Sequence, residues 1–252
     1  MKIIYISVNV VHCQTLHFPF AKYNGMYFFI CNFPKVVFLI RFFTLYIERK
    51  FWPEYLTKLK GGITMKELKG KKIVIDPGHG GIHPGKTYEG RQEKDVTLKM
   101  SKILEELLEA EGAKVYLTRT RDEDFGGTDA DDDIMKRVKY INKKYKGKGI
   151  DVLVSIHVNT ERAFNRIGAF YQEGAKASKT LAKNIAVNMG KNSFEDDLAI
   201  LRETTVAGAK SLIEIAQIDE EWLDDSDRLK DVANEIAMGL NDYFHDLRLG
   251  RV

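Results

Sequence analysis

The chain has 252 residues, enough for one good-sized domain, and its 44% apolar and 30% charged residues are the balance of a globular protein. Its formal charge of +3 is unevenly placed: residues 1–64 carry eight Lys/Arg against two Asp/Glu, which leaves 31 against 34 in residues 65–252. The larger part is therefore slightly acidic, so neither a nucleic-acid nor a membrane partner follows from charge, and Cys13 and Cys31 match no metal-binding spacing.

Residues 1–64 hold fifteen of the 27 aromatics and three of the five prolines. A secretory signal would need an uninterrupted apolar core and a small-residue cleavage site, but His12, His17, Pro19, Lys22 and Asn24 break the stretch and no Ala-x-Ala follows. The longest apolar run, Val36 to Ile47, is interrupted by Arg41 and Thr44 and falls short of the roughly twenty residues of a bilayer span, which makes a membrane anchor the weaker reading. Lys60-Gly61-Gly62 can be encoded as a ribosome-binding sequence two codons before Met65, where composition turns ordinary. Residues 1–64 are accordingly expected to be a non-native or disordered extension, and 65–252 the folded domain.

From Lys71 onward, strand and helix patterns alternate. The apolar run Lys72-Ile-Val-Ile75 ends in Asp76-Pro77-Gly78-His79-Gly80-Gly81, a turn that bends the backbone where it presents an imidazole. A loop follows to Gly90, then a helix over 94–111, a strand over 113–119, an acidic loop over 121–133, a helix over about 131–145 and a strand ending at His157. Strands over 167–171, 198–202 and 211–218 and helices over 176–189 and about 226–244 complete the pattern. The predicted fold class is α/β: a single domain of three α/β/α layers around a mostly parallel, mixed sheet of about six strands.

In open α/β sheets, ligands gather beyond the carboxyl ends of strands, where His79 and His157 both fall. Glu93, at the mouth of a helix and tied to His79 by a glycine-rich loop, can join them, and Glu214 sits in the apolar run Ser211-Leu-Ile-Glu214-Ile-Ala-Gln-Ile218. Two histidines, one carboxylate and a further carboxylate are the inventory of a catalytic zinc site. These four stretches, in this order, resemble the zinc-dependent N-acetylmuramoyl-L-alanine amidases, the peptidoglycan amidase family whose signature is a strand followed by Asp-Pro-Gly-His-Gly-Gly. The resemblance runs from about Lys71 to about Phe244. It implies zinc held by His79, Glu93 and His157, with the fourth position open to water, and Glu214 as the catalytic proton carrier. Asn159, two residues past His157, matches the family's His-x-Asn as a residue that binds substrate or orients a ligand.

Bland readings stand beside these. The glycine-rich turn would otherwise be a plain strand end or a phosphate loop, though it lacks both nucleotide-loop patterns. Glu93 alone would be a first-turn acid favoured by the helix dipole. His83 reads as a loop residue and His245 as a helix-terminal one; Arg137 matches a family position and suits a salt bridge as well as substrate binding; Asp129 to Asp133 read as solvated surface, with calcium binding the alternative. The family continues its catalytic glutamate with Gly-Phe and a Ser-Asn pair, whereas this chain has Ile215-Ala216-Gln217-Ile218-Asp219, which bears on substrate preference. The short link from Asn159 to Ile167 implies an open cleft.

The expectation is a zinc amidase acting on peptidoglycan as a monomer at the bacterial cell wall, with no nucleic-acid partner. Alternatives are a zinc peptidase or deacylase on another amide and a catalytically silent wall-binding domain. A prophage lysin, a sporulation or germination amidase and an autolysin share this core, and the lack of an evident signal peptide favours the lysin.

Overall fold

The computed structural model describes residues 65–160 and 166–252 in full and, within 2–29, the backbone of three strands. The chain divides into two compact units, Met1–Ile63 and Thr64–Val252. In the first, β1 (Lys2–Val10), β2 (Cys13–Tyr23) and β3 (Met26–Phe29) pair antiparallel in that order. The sequence pattern placed no regular element here; β-branched and aromatic residues dominate these runs and suit a pleated strand. The Val36–Ile47 run lies outside the described residues, among which no helix is long and apolar enough to cross a membrane.

The second unit contains β4 (Lys72–Pro77), a short hairpin of β5 (Thr87–Tyr88) and β6 (Arg91–Gln92), α1 (Glu93–Ala110), β7 (Lys114–Leu117), α2 (Ala130–Tyr145) and β8 (Ile150–Asn159). It continues through β9 (Gly168–Tyr171), α3 (Lys176–Asn188), β10 (Asn192–Glu195), α4 (Ala199–Glu203), β11 (Ala207–Gln217) and α5 (Ser226–Arg248). Six strands form one sheet in the order β10-β9-β11-β8-β4-β7. The four from β11 to β7 run parallel, β9 meets β11 antiparallel, and β10 runs with β9. This is the expected mixed sheet between helical layers.

One segment departs from its predicted type: 198–202, read as a strand, is helix α4 after Leu198. Periodicity cannot separate a short apolar run in a strand from one in a helix, and here the run buries Ile200 and Leu201 against the sheet as a short helix. Strand β10, of four residues, and strands β5 and β6, of two each, carry too little pattern to be seen in sequence.

Alternation along the strands sorts side chains between two cores. Ile73, Ile75, Val152, Val154, Ile156 and Ile213 face α1, α3 and α5, whereas Val74, Leu153 and Leu212 face α2 and α4. By the same period of two, Asp76, Ser155, His157 and Glu214 project toward the α2 side. Register then sets them side by side: Asp76 lies opposite Ser155, and His157 opposite Glu214.

Candidate active site

After β4 the chain turns sharply, and His79 takes φ 58°, a left-handed conformation that few residues with a side chain adopt. Its Nε2 lies 3.1 Å from Oε2 of Glu93, while Nδ1 of His157 lies 3.0 Å from Oε1 of the same carboxylate. The two imidazoles meet edge to face with ring centroids 5.1 Å apart, and one donor atom from each of the three residues falls within 4.8 Å of the others. Backbone N–H groups complete the setting of Glu93: Lys86 donates to Oε2 at 2.8 Å and Val158 to Oε1 at 3.0 Å.

Two glycines leave the room this cluster needs. A Cβ on Gly78 would lie 2.5 Å from Cε1 of His157, and one on Gly85 would lie 2.5 Å from Oε2 of Glu93 and 2.6 Å from Cδ2 of His79. Two imidazoles and one carboxylate, oriented by backbone donors and backed by glycine, fit a divalent zinc with an open position. Burial opposes ionisation of Glu93, but hydrogen bonds from His157 and His79 outweigh it and hold this carboxyl far below the usual range. His157 responds in the opposite sense: burial lowers its pKa, yet the Glu93 hydrogen bond and charge raise it overall.

Glu214 is built differently. Its neighbours Ile213, Ile215 and Ala216 are buried, and just beyond it the pairing with β8 slips, three residues from Glu214 to Gln217 matching two from His157 to Asn159. Such bulges re-aim side chains and are common beside active sites. Burial raises the Glu214 pKa, the His157 charge lowers it and the Glu93 charge raises it again, to about 7. Its Oε2 is buried and has no hydrogen-bond partner among the described residues. Glu214, His79 and His157 line one cleft of about 220 Å³, together with Leu198 and Ile200 at α4 and with Arg137.

The remaining candidates divide. His83 lines the same cleft, with Nε2 3.2 Å from the Gly127 carbonyl. His245 stays at the end of α5 near Glu67 and Arg248. Asn159 donates from Nδ2 to the Arg166 carbonyl and accepts from Thr160 N, so it organises the link to β9, of which 161–165 lie outside the described residues. Arg137 is buried; it pairs with Asp76 and Asp133 and donates to the Pro77 and His79 carbonyls, at 2.9 and 2.7 Å. Its salt-bridge reading therefore holds. Solvated surface does not describe the whole acidic run. Asp129 caps α2, but Asp133 is buried and accepts from Phe125 N and Gly127 N, which folds the loop before the helix. Asp76, unassigned beyond its motif, accepts from Thr118 Oγ1 and Ser155 Oγ and so joins β4 to β7 and β8.

Residues 73–242 match the family described as N-acetylmuramoyl-L-alanine amidase. The chain belongs to this amidase family. A probable cell wall amidase LytH from Staphylococcus epidermidis is 31% identical over 72% of this chain, which spans 61% of the length of that relative. Among solved structures, the CwlD amidase of Clostridioides difficile, in complex with the GerS lipoprotein, superposes with a TM-score of 0.62 at 26% identity, over 70% of this chain and 99% of that one. The catalytic domain of CwlV, an N-acetylmuramoyl-L-alanine amidase from Bacillus (Paenibacillus) polymyxa, gives 0.56 at 30% identity over 69% and 98%. The mixed six-stranded sheet and its flanking helices thus match the fold of these amidases.

Proposed function

We propose that this chain is a zinc-dependent amidase that hydrolyses the bond between the lactyl group of N-acetylmuramic acid and L-alanine in peptidoglycan, with residues 65–252 as its catalytic domain. One observation carries the reading: Glu214, with a buried oxygen unpartnered among the described residues, stands beside His157 in the cleft that His79 also lines, and Glu93 bridges those two imidazoles. Family membership supports the substrate. His79, Glu93 and His157 are the proposed ligands, and zinc bound there would supply Lewis acidity to the scissile carbonyl and the attacking water.

The rest of the chemistry belongs to the chain. Glu93 stays ionised and holds both imidazoles in place. Glu214 takes a proton from water as the water oxygen bonds to the lactyl carbonyl carbon. It then delivers that proton to the alanine nitrogen as the carbon–nitrogen bond breaks, leaving a lactyl carboxylic acid and a free amine, and the acid's proton passes to the amine to give carboxylate and ammonium. A pKa of about 7 suits a group that must accept and return a proton near neutral pH. Asn159, two residues past His157 on β8 and with one Nδ2 hydrogen given to Arg166, is assigned to substrate through the other. The enzyme acts on the bacterial cell wall as a single chain.

Zymography on purified wall, with mass spectrometry of the released fragments, tests the reading. Stem peptides beginning in free L-alanine, with glycan strands intact, are expected. Cleavage at another bond would assign the site to a different amide, and wall binding without cleavage would make it a binding domain.

A further inference from the structure

The turn that carries His79 is held from behind by a residue outside the four motifs. Arg119 follows β7 and is 1% exposed, yet all its partners are carbonyls and one hydroxyl. Its Nε donates to the Pro77 carbonyl at 3.1 Å, Nη1 to Arg121 at 3.1 Å, and Nη2 to Gly78 at 2.9 Å and Lys94 at 2.8 Å. Nη2 also lies 3.2 Å from Thr97 Oγ1, which itself donates to the Gly78 carbonyl at 2.8 Å. Among the described residues no carboxylate bonds this guanidinium directly, although the charges of Asp76, Asp122 and Asp95 act on it from farther off; burying it so is a costly way to stabilise a fold, since an apolar side chain of similar volume packs without the desolvation penalty.

Its position offers the compensation. Pro77 and Gly78 lead into His79, whose backbone occupies the left-handed region, while Lys94 adjoins Glu93 in the first turn of α1. The fork of Arg119 therefore spans the two segments that bear His79 and Glu93. We infer that Arg119 is a positioning residue that sets the spacing of the metal ligands His79 and Glu93 and thereby the zinc affinity of the site. This rests on the metal reading above. Lysine cannot replace the fork, because a single ammonium cannot reach carbonyls on both segments in the same planar geometry.

The test is the zinc affinity of the full chain, measured by competition with a chelator and independent of turnover. Arg119→Lys and Arg119→Met, shown to be folded by circular dichroism, should bind zinc roughly 10–100-fold more weakly, the usual cost of losing a group that orients ligands. Leu108→Ala, which opens the core at the far end of α1, should lower the thermal midpoint and leave zinc affinity unchanged. Folded Arg119 variants with parental affinity would overturn the inference, as would an equal loss in Leu108→Ala. If the Arg119 variants do not fold, Thr97→Val removes the hydroxyl from the same clamp and should still weaken zinc binding; parental affinity there would also overturn it. A parent chain that takes up no zinc removes the metal reading and this inference together, whereas zinc binding indifferent to Arg119 removes only the inference.

Discussion

Glu93 and Glu214 flank the same imidazole, yet the chain treats them in opposite ways. Glu93 opens a helix, where two backbone N–H groups and two histidines converge on its oxygens, and its pKa is driven down. Glu214 stands inside β11, paired with β8 on one side and β9 on the other, so the neighbouring backbone donors are committed to the sheet. One oxygen finds no partner among the described residues, and its pKa rises to about 7. Two carboxylates in one site are thus divided between a fixed anion that suits a cation and a group that suits proton exchange.

The sharpest way to break this contrast is to remove the fixed anion or its imidazoles. His79→Ala, Glu93→Ala and His157→Ala should each lose zinc and amidase activity together, read by metal analysis and wall hydrolysis. Stoichiometric zinc in all three would dissolve the site. Next in size, Glu214→Gln keeps shape and zinc but cannot carry a proton, so turnover should fall by roughly 10²–10⁴-fold. Near-parental turnover would place the proton carrier elsewhere.

A smaller effect separates the two carboxylates by pH. In zinc-free protein, folded Glu214 titrates near 7 against about 4.5 for an ordinary glutamate, so between these values the folded state keeps a proton that the unfolded chain has released. The stability this contributes is complete below about pH 4.5 and lost as pH rises through 7. Urea unfolding should therefore show Glu214→Gln gaining on the parent between pH 5 and pH 8, by at most about 3 kcal/mol. A gap independent of pH would mean that Glu214 is not held protonated by burial.

The smallest effect is expected at the front of the chain. Met65 is buried with its N–H on Glu111, Leu68 is buried, and Glu67 meets Arg248, so residues 65–252 begin with contacts of their own. That segment made alone should match the full chain in thermal midpoint and specific activity. A clear loss of either would tie residues 1–64 to the amidase domain.

What the amino-acid sequence determined by itself was the set of elements and the ends of strands. The apolar runs before His79 and His157, the helix opening at Glu93 and the run around Glu214 are local patterns with strong periodicity, and the structure retains them with shifts of a few residues. Other features depended on neighbours distant in sequence. The 198–202 run is a helix that buries Ile200 and Leu201 with Val74, Leu153 and Leu212 of the sheet, contacts that its own short pattern does not contain. Asp133, one of several acids in a row, was drawn inside by Arg137 and two backbone N–H groups, while Asp129 remained a cap. Arg119 is, in sequence, only a basic residue after an apolar strand. Its importance arises when β7, the turn after β4 and the start of α1 come within reach of one guanidinium. Periodicity is a property of adjacent residues and survives in a string of letters, whereas the partners of a buried charge are chosen only when distant segments meet.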